Sequence, residues 1–157
     1  MKETKAVPRL ENVLFYVMEK TIKSYRQFAQ RQLNAINKEI TIDQWLILKT
    51  LDDNPDITQR EIAERVFKDH ASITRMIDLL VKKGFLKRFF NPEDRRRYGL
   101  KLTPEGRLAQ QQSIPVIMRN RAQALQGLSD KEIHTLRNLL QKITDNCTNP
   151  SNQKIEQ

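Results

Sequence analysis

Between Lys82 and Lys101 the chain carries eight basic side chains (Lys82, Lys83, Lys87, Arg88, Arg95, Arg96, Arg97 and Lys101) against two acids, Glu93 and Asp94. That stretch accounts for six of the nine net positive charges of the 157-residue sequence. Cations at this density do not build an acid–base or nucleophilic site. They attract a polyanion, and their mixing with aromatic and branched residues points to nucleic acid. Just upstream, His70, Ser72, Thr74 and Arg75 form a second polar set able to meet base edges and phosphates; an arginine can take guanine O6 and N7 together. Asp78, on the same face, is expected to stay off a polyanion.

Groups for covalent or metal chemistry are sparse. His70 and His134 have no metal-ligand spacing to another His, Cys or carboxylate, and Cys147 has no neighbouring base to activate it. No phosphate-binding loop, G-x-G-x-x-G or G-x-S-x-G occurs, and glycine totals four. The acids around Asp52, Asp53 and Asp56 read as a solvated loop. No catalytic residue, cofactor or metal is expected.

Helices and strands must position the basic set. Thr58 with Glu61 is a capping box, and Ile57 with Ile62 a hydrophobic staple, for a short helix carrying Ile62, Ala63 and Val66. Phe67-Lys68-Asp69 is long enough only for a turn. A second helix is predicted over 70–83, with Ile73, Met76, Ile77, Leu80 and Val81 inward and Gly84 at its C′ position. Lys82 lies at its basic end. Phe85–Phe90 and Tyr98–Leu102 have the composition of strands, joined by a projecting polar loop over 91–97. Two short helices followed by a basic hairpin make a winged helix-turn-helix, in which the second helix enters the DNA major groove.

The flanks are helical. Pro8 opens a long helix whose apolar residues, from Leu10 to Leu33, recur at three-to-four spacing. Thr41 with Gln44, stapled by Ile40 and Trp45, opens another that ends before Pro55. Thr103-Pro104 starts a third long helix with Leu108, Pro115, Met118, Ala122 and Leu125 on one stripe and a bend at Pro115. Ser129 with Glu132 opens the last, striped by Ile133, Leu136, Leu140 and Ile143. These stripes have too little partner surface within one chain, which favours a second copy. The expected organisation is a disordered start over 1–7, dimerisation helices over 8–37 and 104–146, a DNA-reading region over 38–103, and a flexible tail over 147–157. The fold class is mainly α with a small β-hairpin wing.

Composition agrees. Hydrophobic residues are 38%, mean hydropathy is −0.66 and the pI is near 9.8. These values suit amphipathic helices and a polyanionic partner. No apolar run approaches a membrane span and no signal peptide is evident, so no membrane partner is expected. A single cysteine forms no internal disulfide, which fits a reducing cytoplasm.

Asp94-Arg95-Arg96, followed by Leu100-Lys101-Leu102-Thr103 and Gly106, resembles the wing of MarR-type bacterial transcription regulators. Thr74-Arg75, Lys82-Lys83-Gly84 and Arg88 also sit at that family's intervals. The resemblance runs from about residue 8 to 146 and is specific in the central stretch. It implies a homodimer of interlocked terminal helices on a pseudo-palindromic operator in double-stranded DNA, acting as a repressor released by an effector. It also implies Arg96 in the minor groove and Asp94 orienting the wing, with Arg95 and Arg97 adding phosphate attraction. A pocket of Tyr16, Tyr25, Phe28 and Trp45 for a small aromatic or phenolic effector is implied too. The competing reading is a sequence-indifferent architectural DNA binder using the same charge.

Overall fold

The computed structural model describes residues 7–149, with backbone only for residues 94–97. A short 3-10 helix, Leu10–Asn12, precedes α1, Leu14–Ile36. The long helix therefore starts later than Pro8 suggested. Val13 stands between them in extended backbone, and no side chain caps α1. Valine lacks an oxygen to accept a free N–H, and its branched Cβ favours extended conformation.

Capping decides the next starts. Thr41 and Gln44 close a reciprocal box at α2, Ile42–Asp53, and Thr58 and Glu61 do so at α3, Gln59–Arg65. α4, His70–Lys82, ends where Gly84 takes φ +77 and Phe85 N–H reaches back to the Leu80 carbonyl at 2.9 Å. Leu33, Ile47, Leu48, Ile62, Ile73 and Ile77, with Leu80, Leu86, Leu100 and Val116, form the core beneath this helix set.

The wing is the antiparallel pair β1, Leu86–Asn91, and β2, Asp94–Leu102. The expected seven-residue loop is thus shorter. The turn is confined to Pro92 and Glu93, where Asn91 Oδ1 accepts from Glu93 N–H at 3.0 Å. Polar composition suggested a loop, but the asparagine turn closes early and β2 begins at Asp94, before the arginines. The pairing shifts between Phe90 and Asn91, from Phe90↔Tyr98 to Asn91↔Asp94, and the three arginines occupy this irregular part of β2.

α5, Pro104–Ala124, runs unbroken through Pro115. Its buried face is Gly106, Ala109, Gln110, Ser113, Val116, Ile117 and Asn120. Leu108 and Met118, on the stripe picked out in the sequence, are exposed. Gly106, Ala109 and Ser113 let the α5 backbone close on the core, beside Val116 and Ile117. A Cβ at Gly106 would stand 2.1 Å from the Phe85 carbonyl oxygen.

The chain divides into two compact units after Asn120. The second holds the end of α5, a turn with Gly127 at φ +87, and α6, Asp130–Thr148, opened by a Ser129–Glu132 capping box. α6 has no buried residue. It reaches two residues past the expected end, so Cys147 is helical and exposed, not part of a tail. Past Ile143 the apolar period stops, but the helix continues to Thr148. Residues 1–6 and 150–157, on which the disordered start and the flexible tail were expected, lie outside the described residues. Among the described residues no helix is long and apolar enough to cross a membrane.

Candidate nucleic-acid interface

The polar face of α4 is held at its N-terminal end. Asp69, read from sequence only as a turn residue, is the N-cap: its Oδ1 accepts from Ser72 N–H at 2.8 Å and its Oδ2 from the Ser72 hydroxyl at 2.7 Å. These bonds, the backbone one foremost, hold the Asp69 carboxyl below its ordinary range. Thr74 Oγ1 accepts from Gln59 Nε2 on α3 at 2.9 Å and donates to the His70 carbonyl at 2.9 Å. Ser72 and Thr74 therefore act first inside the protein, fixing the helix start and its angle to α3. His70, Arg75 and Lys82 are exposed. Arg75 is the long cation this arrangement presents on the outer face of α4.

Two further residues tie the reading elements together. Arg88 of β1 donates to the Asp78 carboxylate, which accounts for Asp78 without any role on DNA. Lys83 donates from Nζ to the Glu39 carbonyl, and approaches Gln44 Oε1 at 3.4 Å. Neither pairing was legible in the sequence, since both join residues on separate elements. The wing itself is stiffened by aromatics on both faces. The Phe90 and Tyr98 rings pack with centroids 4.9 Å apart, and Lys101 Nζ lies 4.8 Å over the Phe89 ring. Gly99 leaves the room that ring occupies: a Cβ there would meet Phe89 Cζ at 2.1 Å. The side chains of Asp94, Arg95, Arg96 and Arg97 lie outside the described residues.

Tyr25, Phe28 and Trp45 do not line the cleft that Tyr16 borders. Trp45 is core, 5% exposed, with Nε1 donating to the Gln110 carbonyl at 3.0 Å. Tyr25 and Phe28 are half-buried. Tyr16 borders a cleft of about 280 Å³ whose other walls are Glu19, Lys20, Lys23, Ser24 and Gln27, all on α1. A periodic aromatic stripe marks burial, but it does not say which face meets a void. A separate polar cleft of about 520 Å³ lies where α1 meets the start of α2, between Arg26, Gln30, Arg31, Asn34, Asp43 and Lys68. At its centre Asp43 pairs with Arg26 at 2.8 Å and Lys68 at 3.1 Å. Burial alone would raise the Asp43 carboxyl, but the hydrogen bonds and charges of Arg26 and Lys68 outweigh it and hold the group below the ordinary carboxylate range. Among the described residues no cluster of His, Cys, Asp and Glu is placed to hold a metal.

Known proteins share this arrangement. Residues 40–98 match the MarR family. A protein named as a transcriptional regulator for the hcr operon of Thauera aromatica is 31% identical over 129 residues, 82% of this chain and 76% of that one. Among solved structures, the PcaV transcriptional regulator of Streptomyces coelicolor, in complex with its natural ligand, superposes with a TM-score of 0.76 at 25% identity. That match covers 89% of this chain and 97% of PcaV. A variant of MarR from E. coli complexed with operator DNA gives a TM-score of 0.76 at 27% identity, over 83% of this chain and 92% of that one. With the capped helix, the basic wing and these relatives in agreement, the chain belongs to the MarR family of winged-helix transcription regulators, not to an enzyme family.

Proposed function

We propose that the protein is a cytoplasmic repressor that binds a pseudo-palindromic operator as a homodimer and is released by a small-molecule effector. The observation that carries this is the presentation of Arg75: an exposed cation on a helix locked by Asp69, Ser72 and Thr74, beside a basic wing tied to the same helix through Arg88 and Asp78. Residues 38–103 read DNA in this proposal, with His70, Arg75 and Lys82 on the major-groove side and Arg96 in the flanking minor groove. Arg95 and Arg97 meet phosphates and Asp94 orients the wing; Ser72 and Thr74 touch DNA only while keeping their internal bonds. Residues 8–37 and 104–146 join the two copies. The operator-bound MarR variant supports the DNA mode, and ligand-bound PcaV supports control by a small molecule. In this proposal Tyr16, on the border of its α1 cleft, is the aromatic side chain offered to a small aromatic or phenolic acid.

The test is selection of a bound sequence from random DNA, then affinity for single-base variants of that operator at two salt concentrations. A regulator prefers its site over unrelated DNA by at least ~10³, whereas an architectural binder does not. Arg75→Ala costs roughly 1–3 kcal/mol and relaxes preference at one base pair. Arg96→Ala acts only at outer, A·T-leaning positions, and Arg95→Ala lowers the salt slope by about one unit. Uniform weakening by Arg75→Ala, with altered base preference in Arg95→Ala, would reverse the assignment of helix and wing.

A further inference from the structure

α3 closes against its own last turn: Lys68 N–H reaches the Ala63 carbonyl at 3.0 Å, and Phe67 N–H approaches the Glu64 carbonyl at 3.4 Å. Such a closure passes through a left-handed residue, normally glycine or asparagine. Here that residue is Phe67, with φ 57. A bulky L-residue is unfavourable in this region, and such strain gathers at functional positions. No burial compensates for it, because Phe67 is 88% exposed. The chain is pinned just after the ring. Lys68 is held by Asp43 at 3.1 Å, itself held by Arg26, and Asp69 caps α4. An apolar ring is thus presented rigidly, two residues ahead of the recognition helix cap.

We propose that Phe67 is a base-reading residue whose ring meets the 5-methyl group of a thymine in the major groove. This rests on α4 entering that groove, as proposed above. The N-terminal end of a recognition helix lies nearest the base edges. Among the bases only thymine shows an apolar group there, and phenylalanine is one of the side chains that meets it. A ring with two torsions, fixed by a pinned turn, loses little freedom on contact.

Full-length wild type and Phe67→Gly are compared on the selected operator and on copies in which each thymine in turn is replaced by deoxyuridine, which lacks only the methyl. One deoxyuridine position should weaken wild type by about fourfold, the worth of burying one methyl group, and leave Phe67→Gly unaffected. Phe67→Gly should bind the unmodified operator at least that much more weakly while its Tm stays equal or rises, because glycine tolerates φ 57. Equal binding by the two proteins, or equal losses across the deoxyuridine series, would overturn the inference alone. Failure of wild type to select any sequence would overturn the regulator reading and the inference with it.

Discussion

Arg88, on the first wing strand, donates a hydrogen bond to the carboxylate of Asp78 on the outer face of the recognition helix. One acid thus occupies one cation of the wing and joins the two elements proposed to touch DNA. With both side chains partly exposed, the pair contributes at most about 1 kcal/mol to stability. Its effect should appear in binding. Asp78→Asn frees Arg88 for phosphate and loosens the wing, so affinity for unrelated duplex should rise and the salt slope should steepen by about one unit. The ratio of operator to unrelated binding should fall. Titrations of both duplexes at several salt concentrations check this; an unchanged slope and ratio would leave the pair without a role.

Asp43 links α1 to the turn before α4 through Arg26 and Lys68. Its folded pKa is depressed, so its contribution is fully present above the unfolded value of about 3.9 and is lost as pH falls through the folded value. Asp43→Asn should cost about 1–2 kcal/mol at neutral pH, discounted for partial exposure. The gap between wild type and variant should stay constant above about pH 5 and shrink only in more acid solution. Urea unfolding across pH 2–7 measures it. A gap that widens on acidification would contradict the assignment.

Gly106 packs in the first turn of α5 directly under the Phe85 carbonyl, with no room for a methyl group. Because the obstacle is backbone, Gly106→Ala should destabilise by about 1–3 kcal/mol through overpacking, despite alanine's better helix propensity. Gly99→Ala meets only the end of the partly exposed Phe89 ring and should cost less. Thermal unfolding of the two variants compares them directly; a more stable Gly106→Ala would refute the packing argument.

Leu136 and Leu140 lie exposed along α6, where no residue is buried. If a second copy covers them, each contributes about 1.5–3 kcal/mol to the dimer. Leu136→Glu combined with Leu140→Glu should sediment as a monomer at micromolar concentration, keep its helical circular dichroism and lose high-affinity operator binding. Wild type sedimenting as a monomer would contradict the dimer proposal itself.

Features built from near neighbours were legible in the amino-acid order alone. The boxes at Thr41, Thr58 and Ser129 each join residues three apart, and Gly84 stops α4 through bonds spanning five residues. The winged-helix class followed, since its signals are local periods, local stops and one run of charge. Asp69 could have been found the same way: an aspartate three residues before Ser72 is a ready N-cap.

Long-range pairing was a different matter. Which face of α5 turns inward depends on Gly106 meeting Phe85 and on Trp45 reaching the Gln110 carbonyl, 65 residues away in the chain. Within one chain Gly106, Ala109, Ser113, Val116 and Ile117 face the core, and Leu108 and Met118 stay exposed on the stripe expected to meet a second copy. The types of Ser72 and Thr74 suit base reading, but the fold bonds them to Asp69 and Gln59. Arg88 is one more cation by type, but packing places Asp78 beside it. A side chain's type states which bonds it can make. Whether they are already made inside the protein depends on neighbours brought together only when distant segments pack.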